Sequence, residues 1–356
     1  MRFKLHDKTL SEKINAKPWR SLKKPKKILA IRLQALGDMV ITLPYLQSLK
    51  NSLPEAQIDF LTRAEVDDIP RSLDLFDRVF SIGGGRNFKK QARSALLLLP
   101  QIWARRHEVV IDLQRNPLSQ WMRKLLHPQC WSEFDRFSPL AAGERNRLTI
   151  EALGLGSVEV SAKLNLKNKF AGLDILQAAG WNPACDLVVL NPAGGFPTKN
   201  WPLQNYVDFA RLWLHEYQQQ TQFLVLGIES ISPRAQFLQA QLGPHLIDLV
   251  NRTSPSEALA IIQKADLVIS EDSGLLHMAW ISGIPTVALF GSSRSDWSAP
   301  RGEFAICLNS ADLACGECME AACRFGDIHC LTRFTPEMVF KSAGALLKNK
   351  KIRQRV

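Results

Sequence analysis

A chain of 356 residues with 46% hydrophobic and 22% charged residues has a globular composition and the length for two domains, each with its own core. The longest apolar run, residues 95–100 with Ile102 and Trp103 beyond, is too short to cross a bilayer, and MRFKLHDKTLSEK lacks a signal-peptide apolar core, so the expectation is a cytoplasmic protein. The net charge of +11 sits at the ends: residues 1–27 contribute +8 and residues 348–356 contribute +5, which leaves the body near neutral. That distribution does not suit a nucleic-acid partner, and it fits either solvated tails or an anionic membrane surface.

In chain order, residues 1–26 read as a basic extension with little periodicity and room for one short helix. Residues 27–33 (KILAIRL) read as a strand and LQALGD as its turn, followed by a helix over 38–51 with Val40, Leu43, Leu46 and Leu49 on one face. Strands are expected at 57–61, 77–82 and 108–113, with a helix at 88–106. Gly83-Gly84-Gly85 opens a loop and matches no phosphate-binding glycine pattern. Strands alternating with helices at this spacing imply an α/β fold with a parallel, doubly wound sheet. The pattern breaks at about residues 159–169, which places a first domain at 27–165 and a second at 166–334. The second alternation has helices at 170–180 and 203–217, strands at 187–191 and 222–226, and a capping box from Ser254 through Pro255 to Glu257. A strand at 267–270, an acidic turn, a helix capped by Ser273 and a strand at 286–290 follow. A final helix begins at Thr335-Pro336-Glu337 and runs into a basic tail, over 335–356.

Three turns carry candidate chemistry. Ala35-Leu36-Gly37-Asp38 places a carboxylate where the first strand gives way to the first helix, either as a simple cap or facing a cleft. The loop NPAGGFPTKNWP offers Lys199 as a point charge for a phosphate, with Asn191 and Thr198 as donors. The turn at 271–274 starts a helix whose N-terminus favours an anion, and Glu271 and Asp272 beside it suit the hydroxyls of a sugar on that phosphate.

In their order and spacing, ILAIRLQALGDMVITLPYLQSLK, NPAGGFPTKNWPLQNYVDFA and LVISEDSGLLHMAWISGIPTVALFG resemble glycosyltransferase family 9, the ADP-heptose:lipopolysaccharide heptosyltransferases. The resemblance spans about residues 28–345. It implies a GT-B fold: two Rossmann-like domains facing a cleft, acceptor side first, donor side second, and a last helix crossing back. It implies inverting transfer of heptose from ADP-heptose to a lipid-linked lipopolysaccharide inner-core oligosaccharide, without a catalytic metal ion, by an enzyme peripheral on the inner membrane. On this chain Asp38 matches the proposed general base and Lys199 the phosphate-contacting lysine. Asp272 matches the acid that holds the donor sugar, Ser273, Gly274 and His277 lie in the segment at the diphosphate, and Glu229 in GIES stands as a ribose partner. Gly194-Gly195 departs from members that have hydroxyl residues there. These roles make chemical sense, because a sugar hydroxyl needs its proton removed and a leaving diphosphate needs positive charge.

Cys315, Cys318, Cys323 and Cys330 crowd into sixteen residues, which in a reducing compartment suits a structural zinc or iron site, or free or redox-active thiols, with His329 as a substitute ligand. A metal there would suit the alternative of a protein-acceptor heptosyltransferase. The other alternative, a catalytically silent sugar-nucleotide-binding protein, is disfavoured by the presence of Asp38, Lys199 and Asp272 together. Cys130, Cys185 and Cys307 are expected in the core.

Overall fold

The computed structural model describes residues 14–158, 160, 164–217 and 220–353. The first sheet contains β1 (Ala16–Lys17), β2 (Lys27–Ile31), β3 (Gln57–Arg63), β4 (Arg78–Ile82), β5 (Val109–Asp112) and β6 (Cys130–Glu133), in the order β1-β6-β5-β2-β3-β4. All pairings are parallel except β1 with β6. Its helices are α1 (Leu36–Ser52), α2 (Asp68–Ser72), α3 (Phe88–Ala104), α4 (Pro117–Leu126) and α5 (Ala142–Glu151).

The second sheet contains β7 (Asp186–Asn191), β8 (Thr221–Gly227), β9 (Leu246–Val250), β10 (Leu267–Glu271), β11 (Thr286–Leu289) and β12 (Ala305–Leu308). Its order is β12-β11-β10-β7-β8-β9, parallel throughout. Around it lie α6 (Leu173–Ala178), α7 (Leu203–Glu216), α8 (Ser232–Leu242), α9 (Pro255–Ile262), α10 (Gly274–Ile281), α11 (Ser295–Ser298), α12 (His329–Thr332) and α13 (Pro336–Arg353). Both halves are doubly wound, as the alternation predicts.

Period-two side chains explain why the strands are apolar at consecutive positions. In β2, Ile28 and Ala30 enter one cluster while Leu29 and Ile31 enter another on the opposite face. The two domains do not keep wholly separate cores, contrary to the expectation from length. Ile58 and Phe60 of the first sheet, Leu224 and Leu226 of the second, and α1, α9 and α10 between them form one continuous apolar cluster. At about 1.5–3 kcal/mol for each large side chain removed from water, that cluster makes the junction of the sheets a stiff part of the molecule.

The structure departs from the sequence reading at several points. Residues 14–26 are tied to the first sheet, since Ala16 pairs with Ser132, Lys17 with Trp131, and Trp19 N–H donates to Leu153 O at 2.8 Å. Residues 1–13 of the expected extension, 354–356 of the tail, and 159 and 161–163 of the expected boundary lie outside the described residues. Helix α6 is shorter than expected because Gly172, at φ +71°, stands in the left-handed region at its start. Helix α13 lays Val339, Ala343 and Leu346 into the core of the second domain, against α7 and β11. Thus the second sheet, rather than the first, takes the apolar face of the expected crossing helix. Among the described residues no helix is long and apolar enough to cross a membrane.

Candidate active site

Strands β2, β7 and β10 all end toward the junction of the sheets, and parallel pairing of Ser270 with Asn191 sets the two donor-side turns side by side. Helix α1 begins two residues earlier than the sequence predicts, so Gly37 and Asp38 lie in its first turn. Opposite it stands the start of α10. A Cβ on Gly37 would lie 2.8 Å from His277 Cδ2, and one on Gly274 would lie 3.2 Å from Leu36 Cδ2. Two helix N-termini from different domains therefore meet, closely enough that a Cβ on Gly37 would crowd the His277 ring.

Asp38 is half-exposed, and its carboxylate accepts from Ala35 N–H at 3.3 Å and pairs with Arg32 Nη2 at 3.1 Å. Arg32 is buried, and burial pulls its guanidinium below the ordinary range while Asp38 and Asp112 pull it back. Arg145 is lowered in the same way by burial, again opposed by Asp38. Both guanidiniums lie 5.1 Å from the Phe134 ring, so one aromatic ring carries two cations.

On the donor side, Lys199 Nζ donates to Asp272 Oδ2 at 2.7 Å, and Ser293 Oγ donates to the same oxygen at 2.7 Å. Burial raises the Asp272 carboxyl, but Lys199, Ser293 and His277 outweigh it and hold the group below the usual range. His277 is buried with Nδ1 unpartnered. Burial pulls its imidazole below 6.5 against the pull of Asp272 and Asp38, with Lys199 adding to the lowering. Ser273 occupies the N-cap position of α10, yet its hydroxyl does not cap the helix as expected. It accepts instead from Asn191 Nδ2 at 2.7 Å, and the same amide reaches Ser270 Oγ at 2.7 Å. Asn191 thus sets the turn rather than facing the cleft with its amide hydrogens.

Two further expectations change. Thr198 is buried, with its hydroxyl bonded to Ser292 Oγ at 2.9 Å and to Glu320 O, so it fastens the donor loop to the segment behind it. Glu271 does not face a sugar. It is 0% exposed and accepts from Gly194 N–H and Trp201 N–H, each at 2.7 Å, which clamps both ends of the Lys199 loop to β10. Arg234 of α8 holds the same loop from its other side, donating to Pro192 O at 2.7 Å and Asn200 Oδ1 at 2.6 Å. Glu229 is exposed just after β8.

The sequence reading missed Arg32, Arg145, Arg234 and Ser293. Only Arg32 left a signal, as a charge inside the otherwise apolar run KILAIRL. The others come to the site from distant helices and loops.

The four clustered cysteines are neighbours, since Cys318, Cys323 and Cys315 reinforce the effect of burial on the Cys330 thiol, which is pushed up to about 11. They are free thiols, and among the described residues no three His, Cys, Asp or Glu side chains form a group that could hold a metal. The expected ligand set is therefore not assembled. Cys323 is committed to its own turn, where N–H groups of Ile328, Phe325 and Gly326 lower its thiol. Of the expected core thiols Cys130 is fully buried, while Cys185 and Cys307 are half-buried.

Comparison with known proteins agrees with this architecture. Lipopolysaccharide heptosyltransferase 1 of Pseudomonas aeruginosa is 23% identical over 90% of this chain and 98% of its own. Lipooligosaccharide heptosyltransferase 2 of Campylobacter jejuni is 26% identical over 88% of this chain and 96% of its own. The structure of E. coli ADP-heptose lps heptosyltransferase II superposes with a TM-score of 0.69 at 20% identity, covering 91% of this chain and 99% of that one, and so shares the GT-B fold. The model of glycosyltransferase family 9 (heptosyltransferase) matches residues 137–329, more than half of the chain, and the chain belongs to that family of glycosyl-transferring enzymes.

Proposed function

We propose that this enzyme transfers heptose from ADP-heptose to an inner-core lipopolysaccharide acceptor, with inversion, at the cytoplasmic face of the inner membrane. The relatives named above are heptosyltransferases of lipopolysaccharide and lipooligosaccharide, and the superposed structure is named for ADP-heptose. The observation that carries the mechanism is the meeting of α1 and α10, which sets Asp38 across from the Asp272–Lys199 pair.

In this reading Asp38 takes the proton of the acceptor hydroxyl as its oxygen attacks the anomeric carbon. Arg32 and Ala35 N–H hold the carboxylate in place for that transfer. The bond from the anomeric carbon to the β-phosphate oxygen breaks on the opposite face, which inverts the configuration. Lys199 and the N-terminus of α10 receive the charge that develops on ADP, so the step needs no divalent ion. Asp272 is placed to share Lys199 with the donor and to accept from sugar hydroxyls. Glu229, after β8, is the proposed ribose partner. Gly274 keeps the backbone of α10 open to the diphosphate, and neutral His277 packs behind it.

The test combines purified protein, ADP-heptose and a core acceptor lacking heptose, with the product weighed by mass spectrometry. One added heptose is expected, and transfer from another nucleotide sugar in preference to ADP-heptose would overturn the donor assignment. Asp38→Asn should lower turnover by about 100-fold or more while ADP affinity stays within about twofold. A variant that keeps most of its turnover would remove Asp38 as the base.

A further inference from the structure

We infer that the outer face of α3, continued by α4, is the surface by which this protein docks on an anionic lipid membrane. The inference specifies how the enzyme of the preceding reading meets a lipid-linked acceptor, yet the vesicle binding that decides it requires neither donor nor acceptor.

Helix α3 buries Ala95, Leu99 and Ile102 against the first sheet. Its opposite face is not wholly polar, as that of a solvated helix would be, because apolar side chains stand exposed among Lys90, Arg93 and Gln101. Leu96, Leu97 and Trp103 are exposed by 56%, 78% and 54%, with Phe88 at the first turn exposed by 57%. Trp121 on the neighbouring α4 is exposed as well. Both helices cover the same side of the sheet, because Ala95 and Leu99 share one cluster with Leu118 and Met122. Their outer faces therefore lie side by side on that surface of the domain.

Charge selects the occupant. From Arg86 to His107 the chain has six Lys/Arg and no Asp or Glu. Arg105 turns inward to Asp59 at 2.7 Å, while Arg86, Lys89, Lys90 and Arg93 are exposed around the first turns of α3. Apolar side chains ringed by cations match an interface of acyl chains and anionic headgroups. A second copy of the chain would set this cationic face against itself across a two-fold axis, which like charges oppose. Nucleic acid would leave Leu96 and Leu97 without an apolar partner.

The position is apt for a membrane-bound acceptor. The loop before α3 is tied to the Asp38 turn, since Arg63 donates to Gly85 O at 2.7 Å and to Gln34 Oε1 at 2.6 Å. Docking through α3 thus holds the acceptor side of the cleft near the lipid surface. The near-neutral charge of the body conceals this patch, because the balancing acids lie elsewhere.

The test is co-sedimentation of the full chain with vesicles of phosphatidylglycerol and phosphatidylethanolamine, compared with phosphatidylcholine alone. Binding should require the anionic lipid and should weaken with salt. Leu96→Ser with Leu97→Ser should lower the bound fraction at least about tenfold, and Lys89→Glu with Arg93→Glu should do the same. Circular dichroism and turnover on a short soluble acceptor should be unchanged. Failure of the full chain to bind anionic vesicles would overturn the proposal. So would undiminished binding by both double variants together with its loss on removing residues 1–13, which would place the contact at the N-terminus. Concentration-dependent dimerisation that Leu96→Ser with Leu97→Ser abolishes, without vesicle binding, would identify a second copy as the occupant and also refute it.

Discussion

Replacing Glu271 with glutamine should loosen the Lys199 loop without altering any group proposed to react. The carboxyl is fully buried and receives Gly194 N–H and Trp201 N–H, each at 2.7 Å, with Tyr206 Oη at 3.4 Å and Arg234 Nη1 at 4.0 Å. A glutamine in the same place accepts one backbone N–H and turns its NH2 toward the other. One buried donor is left unpaired, which costs about 1–3 kcal/mol. Because Lys199 rides on this loop, about 1 kcal/mol of that loss, or roughly fivefold, should appear as a higher KM for the donor.

The pH dependence is the sharper test. Burial pushes the Glu271 carboxyl from 4.5 up to about 8, against the pull of the two N–H groups, Arg234 and Tyr206. A carboxyl raised in this way binds its proton more tightly in the folded state. Its stabilisation is complete below about 4.5 and declines as pH rises toward about 8. Glutamine does not titrate, so the stability deficit of Glu271→Gln should shrink with rising pH by up to about 1.4 kcal/mol per unit. Urea midpoints followed by tryptophan fluorescence at about pH 5.5, 6.5 and 7.5 measure it. A deficit that is constant or grows with pH refutes the assignment, and an unchanged donor KM refutes the clamp.

Gly37→Ala would put a Cβ 2.8 Å from His277 Cδ2, and forcing α1 off α10 should cost about 1–3 kcal/mol and lower turnover; wild-type kcat in a thermally unshifted variant would show that the contact is not needed. Thr198→Val should lower stability by about 1–2 kcal/mol through its lost bonds to Ser292 and Glu320, while donor KM stays within about twofold. A large rise in that KM would return Thr198 to the donor site. Lys199→Met should destabilise by roughly 3 kcal/mol because Asp272 keeps its buried charge without its partner, and Asp272→Asn in the same chain should restore part of the loss. The depressed Asp272 carboxyl stabilises above its ordinary 3.8 and loses that contribution as pH falls through its folded value, so acid unfolding should become shallower in Lys199→Met.

The sequence by itself determined the two doubly wound sheets and the turns that bear the site. Apolar runs such as ILAI and LVIS, buried on both faces, leave little choice but a parallel strand. Glycine and proline punctuation marks where such strands end, as in LQALGD and NPAGGFPTKNWP, and in open parallel sheets ligands gather at those ends. Short amphipathic pieces were less legible. α4 and β6 span ten and four residues, too few for periodicity to separate them from loop.

What only the tertiary structure decided is where each polar side chain points. Glu271 and Asp272 are adjacent, yet Glu271 ends β10 and Asp272 opens the turn beyond it, so one is sealed beneath the loop while the other meets Lys199. Ser273 and Thr198 have the right chemistry for a ligand, but partners from distant segments claim both hydroxyls. Proximity of the four cysteines in sequence did not make a metal group among the described residues, and the Cys323 thiol is committed to the N–H groups of its own turn. The cationic apolar face of α3 escaped the charge count for the same reason: net charge sums over the whole body, whereas a surface depends on which side chains the fold leaves outside.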